Sequence, residues 1–421
     1  MTESNPSRYH GDGEHSGVSR RSLLAGSAAV GATVTAGCLG GDEADPEQDY
    51  DEASTVFVFN TGNGTVSIID VDGDEVVETR AVGLSSSFPS NQFTPRLTGG
   101  SRDPLWANVA DGVRALSAGS LDEQERVDTG SGANWQELTP DGATLVVSAR
   151  EPAHRNLRVD ADPDSEMFGA VTAELDRKPE DGRGDADGPG PCDVTIHPDG
   201  AYAYVPDLFG DTLTVIDIEA FEIVTQVDVD TVNGNPPEPW MGTAAWDGRR
   251  LLVEHDDGTR GSESIWDISD PADPVEETRL TGTDGLGAGP LTSEIGPASE
   301  TGYVFTPGTD DVTVVDLVAG TVETRLDLGG EAFVGTWDPN RTKLYVPVQT
   351  SGEVVVIDAD SRDVKTTIDV GPEPYGATAA RVRPAPGTAP TTESLAHRLE
   401  GLTGKYETTY CIGECACGHQ L

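Results

Sequence analysis

The sequence predicts an all-β fold, a seven-bladed β-propeller of four-stranded blades, on three observations. A strand–turn–strand unit recurs along the middle of the chain. Its recurrence length suits one four-stranded sheet. Fifty glycines and only 6% aromatics among 421 residues fit many short strands and tight turns better than packed helices.

The unit is clearest between Gly190 and Val229. Pro198-Asp199-Gly200 is a turn between apolar runs, and Ala203-Tyr204-Val205-Pro206 follows as a strand. Thr212-Leu213-Thr214-Val215-Ile216-Asp217 alternates with the period of two of a half-buried strand, and Ile223 to Val229 supplies another. A second clear copy combines Lys343-Leu344-Tyr345-Val346-Pro347, Val354-Val355-Val356-Ile357-Asp358, Val364 to Val370 and Pro374-Tyr375-Gly376-Ala377. Anchoring on the last apolar residue of each second strand gives Phe59, Ala107, Val147, Val205, Val253, Phe305 and Val346, spaced 40 to 58 residues apart. Seven units of that size predict a propeller over residues 54–383. Units two and three are degenerate, and residues 150–190, rich in Asp, Gly and Pro, read as an insertion. Gly376 to Val382 reads as an innermost strand with no unit after it, while Val56 to Val82 holds three strands with none before. Pairing the two ends closes the ring and leaves no open sheet edge.

These Tyr-Val-Pro, Val-Ile-Asp and Pro-Asp-Gly elements resemble those of the YVTN-type β-propeller family. The resemblance implies that the loops entering the innermost strands share one face with the loops between second and third strands. Aligning the units puts Asn134, Cys192, Trp240, Leu291, Phe333 and Tyr375 in one slot near the mouth of the central channel, with Trp135 beside it. Arg150, His154, Asp207, Glu254 and His255 fall on the other loops of that face. Aromatic walls with a few convergent polar groups suit a ligand pocket. The candidate ligand-binding residues are therefore Trp135, Arg150, His154, Cys192, Trp240, His255, Phe333 and Tyr375. The same slot also suits aromatics wedged between blades, and Cys192 reads either as a reactive thiol or as a small apolar filler. His197, in a turn of the opposite face, reads as structural. Asp217, Asp267, Asp316 and Asp358 recur at the ends of third strands, which points to turn capping. No spacing supports a Ser-His-Asp or paired-carboxylate constellation, so no catalytic residue is nominated.

Acidic residues number 74 against 27 basic ones, a formal charge of −47, and lysine occurs only at Lys178, Lys343, Lys365 and Lys405. Dispersed acid with so little lysine resembles the proteins of extreme halophiles. Such a surface repels itself in dilute buffer, and molar salt, with a Debye length of about 3 Å, removes the repulsion. Nucleic acid is excluded as a partner because its phosphates would be repelled.

Ser19-Arg20-Arg21-Ser22-Leu23-Leu24 resembles a twin-arginine export signal, followed by a weakly apolar stretch to Ala36. Thr35-Ala36-Gly37-Cys38 resembles a lipobox, which makes Cys38 the expected lipidation site. Residues 1–37 are thus read as a signal peptide and 38–53 as an acidic tether, with an extracytoplasmic, lipid-anchored location at the outer face of the membrane. After the propeller, residues 384–421 form a Pro-rich linker, a short helix and a Cys-rich tail. Cys411, Cys415, Cys417 and His419 suit zinc or copper, although a disulfide with one thiol left over, or no specific role, fits the same spacing. Cys-x-x-x-Cys-x-x-x-His resembles the copper-A ligand run of nitrous oxide reductases. The tail is too short for a cupredoxin domain, and no Met follows His419, which excludes that enzyme. Haem attachment would need Cys-x-x-Cys-His, which is absent. The sequence thus predicts a non-catalytic surface propeller that binds a ligand or protein partner. The alternative is a redox or metal-handling protein akin to quinoprotein-type propellers.

Overall fold

The chain divides into two units, Met1–Asp45 and Pro46–Leu421. A computed structural model describes residues 50–82, 92–109, 111–184, 186–232 and 234–385, all in the second unit. Arg20, Arg21, Cys38, Cys411, Cys415, Cys417 and His419 lie outside the described residues.

Seven antiparallel sheets follow one another in chain order, six of four strands and one of three among the described residues. All seven anchor residues, Phe59 to Val346, are fully buried; six lie in second strands, and Ala107 lies in the first described strand of its three-stranded sheet. Most second and third strands, such as Tyr202–Asp207 and Thr212–Asp217, are buried on both faces because each is sandwiched between neighbouring blades. Outermost strands such as Glu222–Asp228 alternate exposed and half-buried residues because one face meets water.

The first blade is built from both ends of the described chain. Pro374–Pro384 pairs with Tyr50–Asn60, in register from Thr55 opposite Ala380 to Phe59 opposite Gly376. Thr65–Asp70 and Glu75–Ala81 complete it. A polar bolt joins this blade to the last. Asp74 accepts from Lys343 at 2.6 Å, Lys365 at 2.7 Å and the Tyr345 hydroxyl at 2.6 Å. Burial raises the Asp74 carboxyl, but these three donors outweigh it and hold it below its ordinary value. Two of the chain's four lysines are spent on this one seam.

Innermost strands are linked around the channel by side chains reaching the next blade. Glu137 accepts the Ile196 amide at 2.9 Å, and Asp193 accepts that of Gly242 at 2.7 Å. Thr243 donates to the Ser293 carbonyl at 2.8 Å, and Thr292 to that of Phe333 at 2.6 Å. Asp217, Asp267, Asp316 and Asp358 each accept backbone amides two or three residues on, at 2.8 to 3.1 Å, the expected turn caps.

Two features depart from the sequence pattern. Residues 150–190 are not an insertion: Arg155–Asp160 and Val171–Asp176 are the third and outermost strands of the third blade. Charged residues on these strands hide the apolar alternation. In the second blade, Pro104–Val109 is the innermost described strand, and Thr94–Leu97 before it is a short helix with proline in its first turn.

Candidate functional site

The innermost strands carry different chemistry at their two ends. Their first residues form the slot expected from the unit alignment. Trp135, Cys192, Trp240, Leu291, Phe333 and Tyr375 meet in one apolar cluster, with Phe333 and Tyr375 rings 5.3 Å apart. Asn134 donates to the Cys192 carbonyl and, at 3.1 Å, to its sulfur. Arg150 lies 3.6 Å from the same sulfur, is fully buried, and pairs with Glu151 at 2.8 Å. His154 accepts the Gly190 amide at 3.2 Å, and His255 contacts the Ser264 hydroxyl at 2.7 Å; burial lowers both imidazoles. Alignment of the units thus brought all eight candidate residues to one end of the ring. The structure fills that end with their own side chains, each no more than 5% exposed.

Below the slot the channel wall is acidic, and its acids are buried. Desolvation pushes Glu137 and Asp193 up to about 8 and Glu294 well above the usual carboxylate range. Glu254 and Glu263 stand directly opposite each other on adjacent strands, both fully buried. Ser293 of the next blade lies near Glu254, but no carboxyl oxygen of the pair makes a well-formed hydrogen bond. Burial first, and mutual repulsion at Glu263, raise both above the free value of 4.5. The folded chain therefore binds more protons than the unfolded chain above that pH. Stability from the pair is complete below it and is lost as pH rises through the raised values. Replacing both by Gln should leave stability nearly unchanged at pH 5 and raise it by on the order of 2 kcal/mol at pH 8. Urea unfolding across that range checks this, and a pH-independent difference would contradict it.

The opposite ends of the innermost strands surround a cavity of about 700 Å³. Its wall comes from the turns that follow those strands: Pro140, Pro198, Trp246 with Asp247, Pro297 to Ser299, and Arg341. Arg381, near the end of the closing strand, and Phe93, Arg96 and Leu97 complete it.

Five of these turns share one geometry. The fourth residue donates its amide to the first carbonyl at 2.8 to 2.9 Å, in Gly142, Gly200, Gly248, Ser299 and Arg341. That position is left-handed in all five, with φ between +58° and +78°. Glycine serves it in three blades; an arginine there costs about 1 kcal/mol. The second residue is proline in four turns and tryptophan at Trp246. The two strongest departures face each other: the Arg341 guanidinium lies over the Trp246 ring, 4.3 Å from its centroid. Trp246 donates to the Ile295 carbonyl at 2.9 Å, and Phe93 meets its ring edge-on at 5.9 Å. Burial, with the charge of Arg96 nearby, pushes the Arg341 guanidinium below the usual arginine range.

The chain matches no family model and no curated protein. Among solved structures it is similar to the Pseudomonas aeruginosa periplasmic gluconolactonase, with a TM-score of 0.57 at 17% identity over 77% of this chain and 98% of that one. A Bacteroides fragilis protein assigned as a 6-phosphogluconolactonase is similar at 0.57 and 17%, over 80% of this chain and 99% of that one. The β-propeller domain of a Myceliophteria thermophila protein gives 0.53 at 15%, over 73% and 98%. The chain is a seven-bladed β-propeller. Likeness at these identities speaks to the fold, and the propeller's chemistry has to be read from its own residues.

Among the described residues of the propeller, no group of three or more His, Cys, Asp or Glu side chains is placed to hold a metal ion. No described helix is long and apolar enough to cross a membrane. The sequence pattern directed attention to the filled end of the ring and missed Phe93, Arg96, Trp246, Arg341 and Arg381. One signal was available: Asp338-Pro339-Asn340-Arg341 ends in arginine where Pro-Asp-Gly turns end in glycine.

Proposed function

We propose that the propeller is an extracytoplasmic, lipid-anchored binding protein that takes a small ligand in the cavity bounded by the turns after its innermost strands, without catalysing a reaction. The observation that supports this is the cavity itself. Its volume suits a small molecule, and aromatic, proline and arginine side chains from separate blades converge on it. The opposite end of the ring is occupied by packed side chains. Structural neighbours carry lactonase names, so lactone hydrolysis is the activity to assay against this reading.

Ala298 is an exposed turn residue on the cavity wall. Ala298→Trp should narrow the cavity without touching the core. In a thermal-shift screen, ligands that raise the unfolding temperature of the unaltered chain should lose that effect in the variant. Ligands that act equally on both would place binding elsewhere.

The proposed anchor rests on Cys38 behind Arg20 and Arg21. Cys38→Ser should move the protein from the membrane fraction to the medium, or leave an unprocessed precursor. Membrane retention of a processed Cys38→Ser chain would remove the anchor. A zinc- or copper-handling role would rest on Cys411, Cys415, Cys417 and His419.

A further inference from the structure

We propose that the cavity is a receptor for a sugar-sized oxyanion, a phosphate or carboxylate on a compact body, held by Arg341 together with Arg96 and Arg381. This rests on the reading of the cavity as the ligand site and adds the class of ligand.

Charge is the first argument. The chain carries −47, yet three arginines line one cavity. Most arginines elsewhere in the described residues are tied to a carboxylate, as Arg177, Arg279 and Arg383 are. Arg96, Arg341 and Arg381 make no ion pair and donate no side-chain hydrogen bond to another described residue. Asp247 is the one acid among the lining residues. Its carboxylate accepts the Arg249 amide at 3.0 Å and lies 3.9 Å from the Arg249 side chain. The cavity therefore has guanidinium donors to offer and little acid of its own to satisfy them.

Backbone strain is the second, independent argument. Arg341 holds a left-handed conformation, φ +58°, where three equivalent turns use glycine and the fourth uses the small Ser299 at φ +61°. A strained non-glycine residue persists where its side chain is needed. What that side chain does is visible. Its guanidinium carbon lies 4.3 Å from the centroid of the Trp246 ring, so the ring holds the charged end of the side chain at the cavity wall. The fork of guanidinium N–H groups matches the paired oxygens of a phosphate or carboxylate. Proline and aromatic walls suit the C–H faces of a compact body, and the volume exceeds that of a bare inorganic ion. In molar salt, with a Debye length of about 3 Å, the long-range repulsion from the acidic surface is screened, whereas direct contacts inside the cavity persist.

Isothermal titration of the full chain with glucose 6-phosphate, gluconate, glucose and inorganic phosphate tests this, in the lowest salt that keeps the chain folded. Glucose 6-phosphate and gluconate should bind at least about tenfold more tightly than glucose, as expected for charge-assisted hydrogen bonds. Inorganic phosphate should bind more weakly than the sugar phosphate. Arg341→Gly should weaken both charged sugars at least about tenfold while leaving the unfolding temperature unchanged or higher, because glycine relieves the backbone. Arg126→Gln, on an outermost strand and not among the residues lining the cavity, should bind as the unaltered chain does. Undiminished binding in Arg341→Gly would overturn the proposal. Glucose binding as tightly as its phosphate, and blocked by Ala298→Trp, would keep the cavity as the ligand site but overturn the anion preference. Binding of none of the four probes would overturn both.

Discussion

A chain ending before Pro374 is expected not to fold into a stable monomer, although it retains most of the propeller's strands. The strand Pro374–Pro384 is the innermost strand of the first blade, so it carries the chain from the last blade into the sheet of the first and closes the ring by hydrogen bonding. Its removal strips partners from Val56, Phe57, Val58 and Phe59, all fully buried, and leaves the backbone edge of their strand unpaired. Ala377, Ala379, Ala380 and Val382, also fully buried, are lost from the core. The bolt of Lys343, Lys365 and Tyr345 on Asp74 then holds two blades that the closing strand no longer links. A chain ending at Ala385 keeps every described strand and should unfold like the full chain. Circular dichroism and gel filtration of both truncations check this. A monomeric, cooperatively unfolding product of the shorter chain would show that the ring does not need its closing strand.

The second large effect is expected at Arg177. This guanidinium is fully buried between the third and fourth blades, bonding Glu180, the Asn156 amide oxygen at 3.1 Å, and both Asp207 and the Thr214 hydroxyl at 3.0 Å. Asp207 is fully buried too, and also accepts from Thr212 at 2.9 Å. Burial alone raises the Asp207 carboxyl, and Arg177 is the main influence opposing it. Arg177→Leu removes the counter-charge and strands the carboxylate, a change that costs about 3–5 kcal/mol. Adding Asp207→Asn removes the stranded charge and should restore part of the loss, so the two changes should not add. Urea unfolding of the single and double variants decides it. Additive losses would mean that Arg177 and Asp207 act independently.

Much of the fold was legible because the propeller repeats local chemistry. One strand in each of the seven blades could be located from its apolar end, and the Asp caps and the closing strand followed from position in the unit. Legibility failed where local chemistry was overridden. Pro95 opens a helical turn at Thr94–Leu97, just before the first strand described in the second blade, Pro104–Val109. The strand Arg155–Asp160 has only Leu157 and Val159 as apolar residues, among Arg155, Asn156, Arg158 and Asp160, too short a rhythm to stand out. At the candidate site the difficulty is of another kind. Phe93, Arg96, Trp246, Arg341 and Arg381 come from four separate stretches and meet only because the ring closes. No motif contains more than two of them. The slot at the other end was visible as a column of aromatics, yet an aromatic column has the same pattern whether it lines a pocket or fills one. Burial separates the two cases: Trp240, Phe333 and Tyr375 are 2 to 3% exposed, whereas Trp246 remains half-buried with Arg341 across its ring.

We propose that this propeller receives its ligand at the arginine-lined end of the channel. The most direct test is a crystal structure of the chain soaked with glucose 6-phosphate. The account predicts density for the phosphate against the Arg341 guanidinium, within reach of Arg96 or Arg381, with the sugar body among Trp246 and the prolines. Density instead among Trp240, Phe333 and Tyr375 at the opposite end of the ring, with the arginine-lined cavity empty, would contradict it.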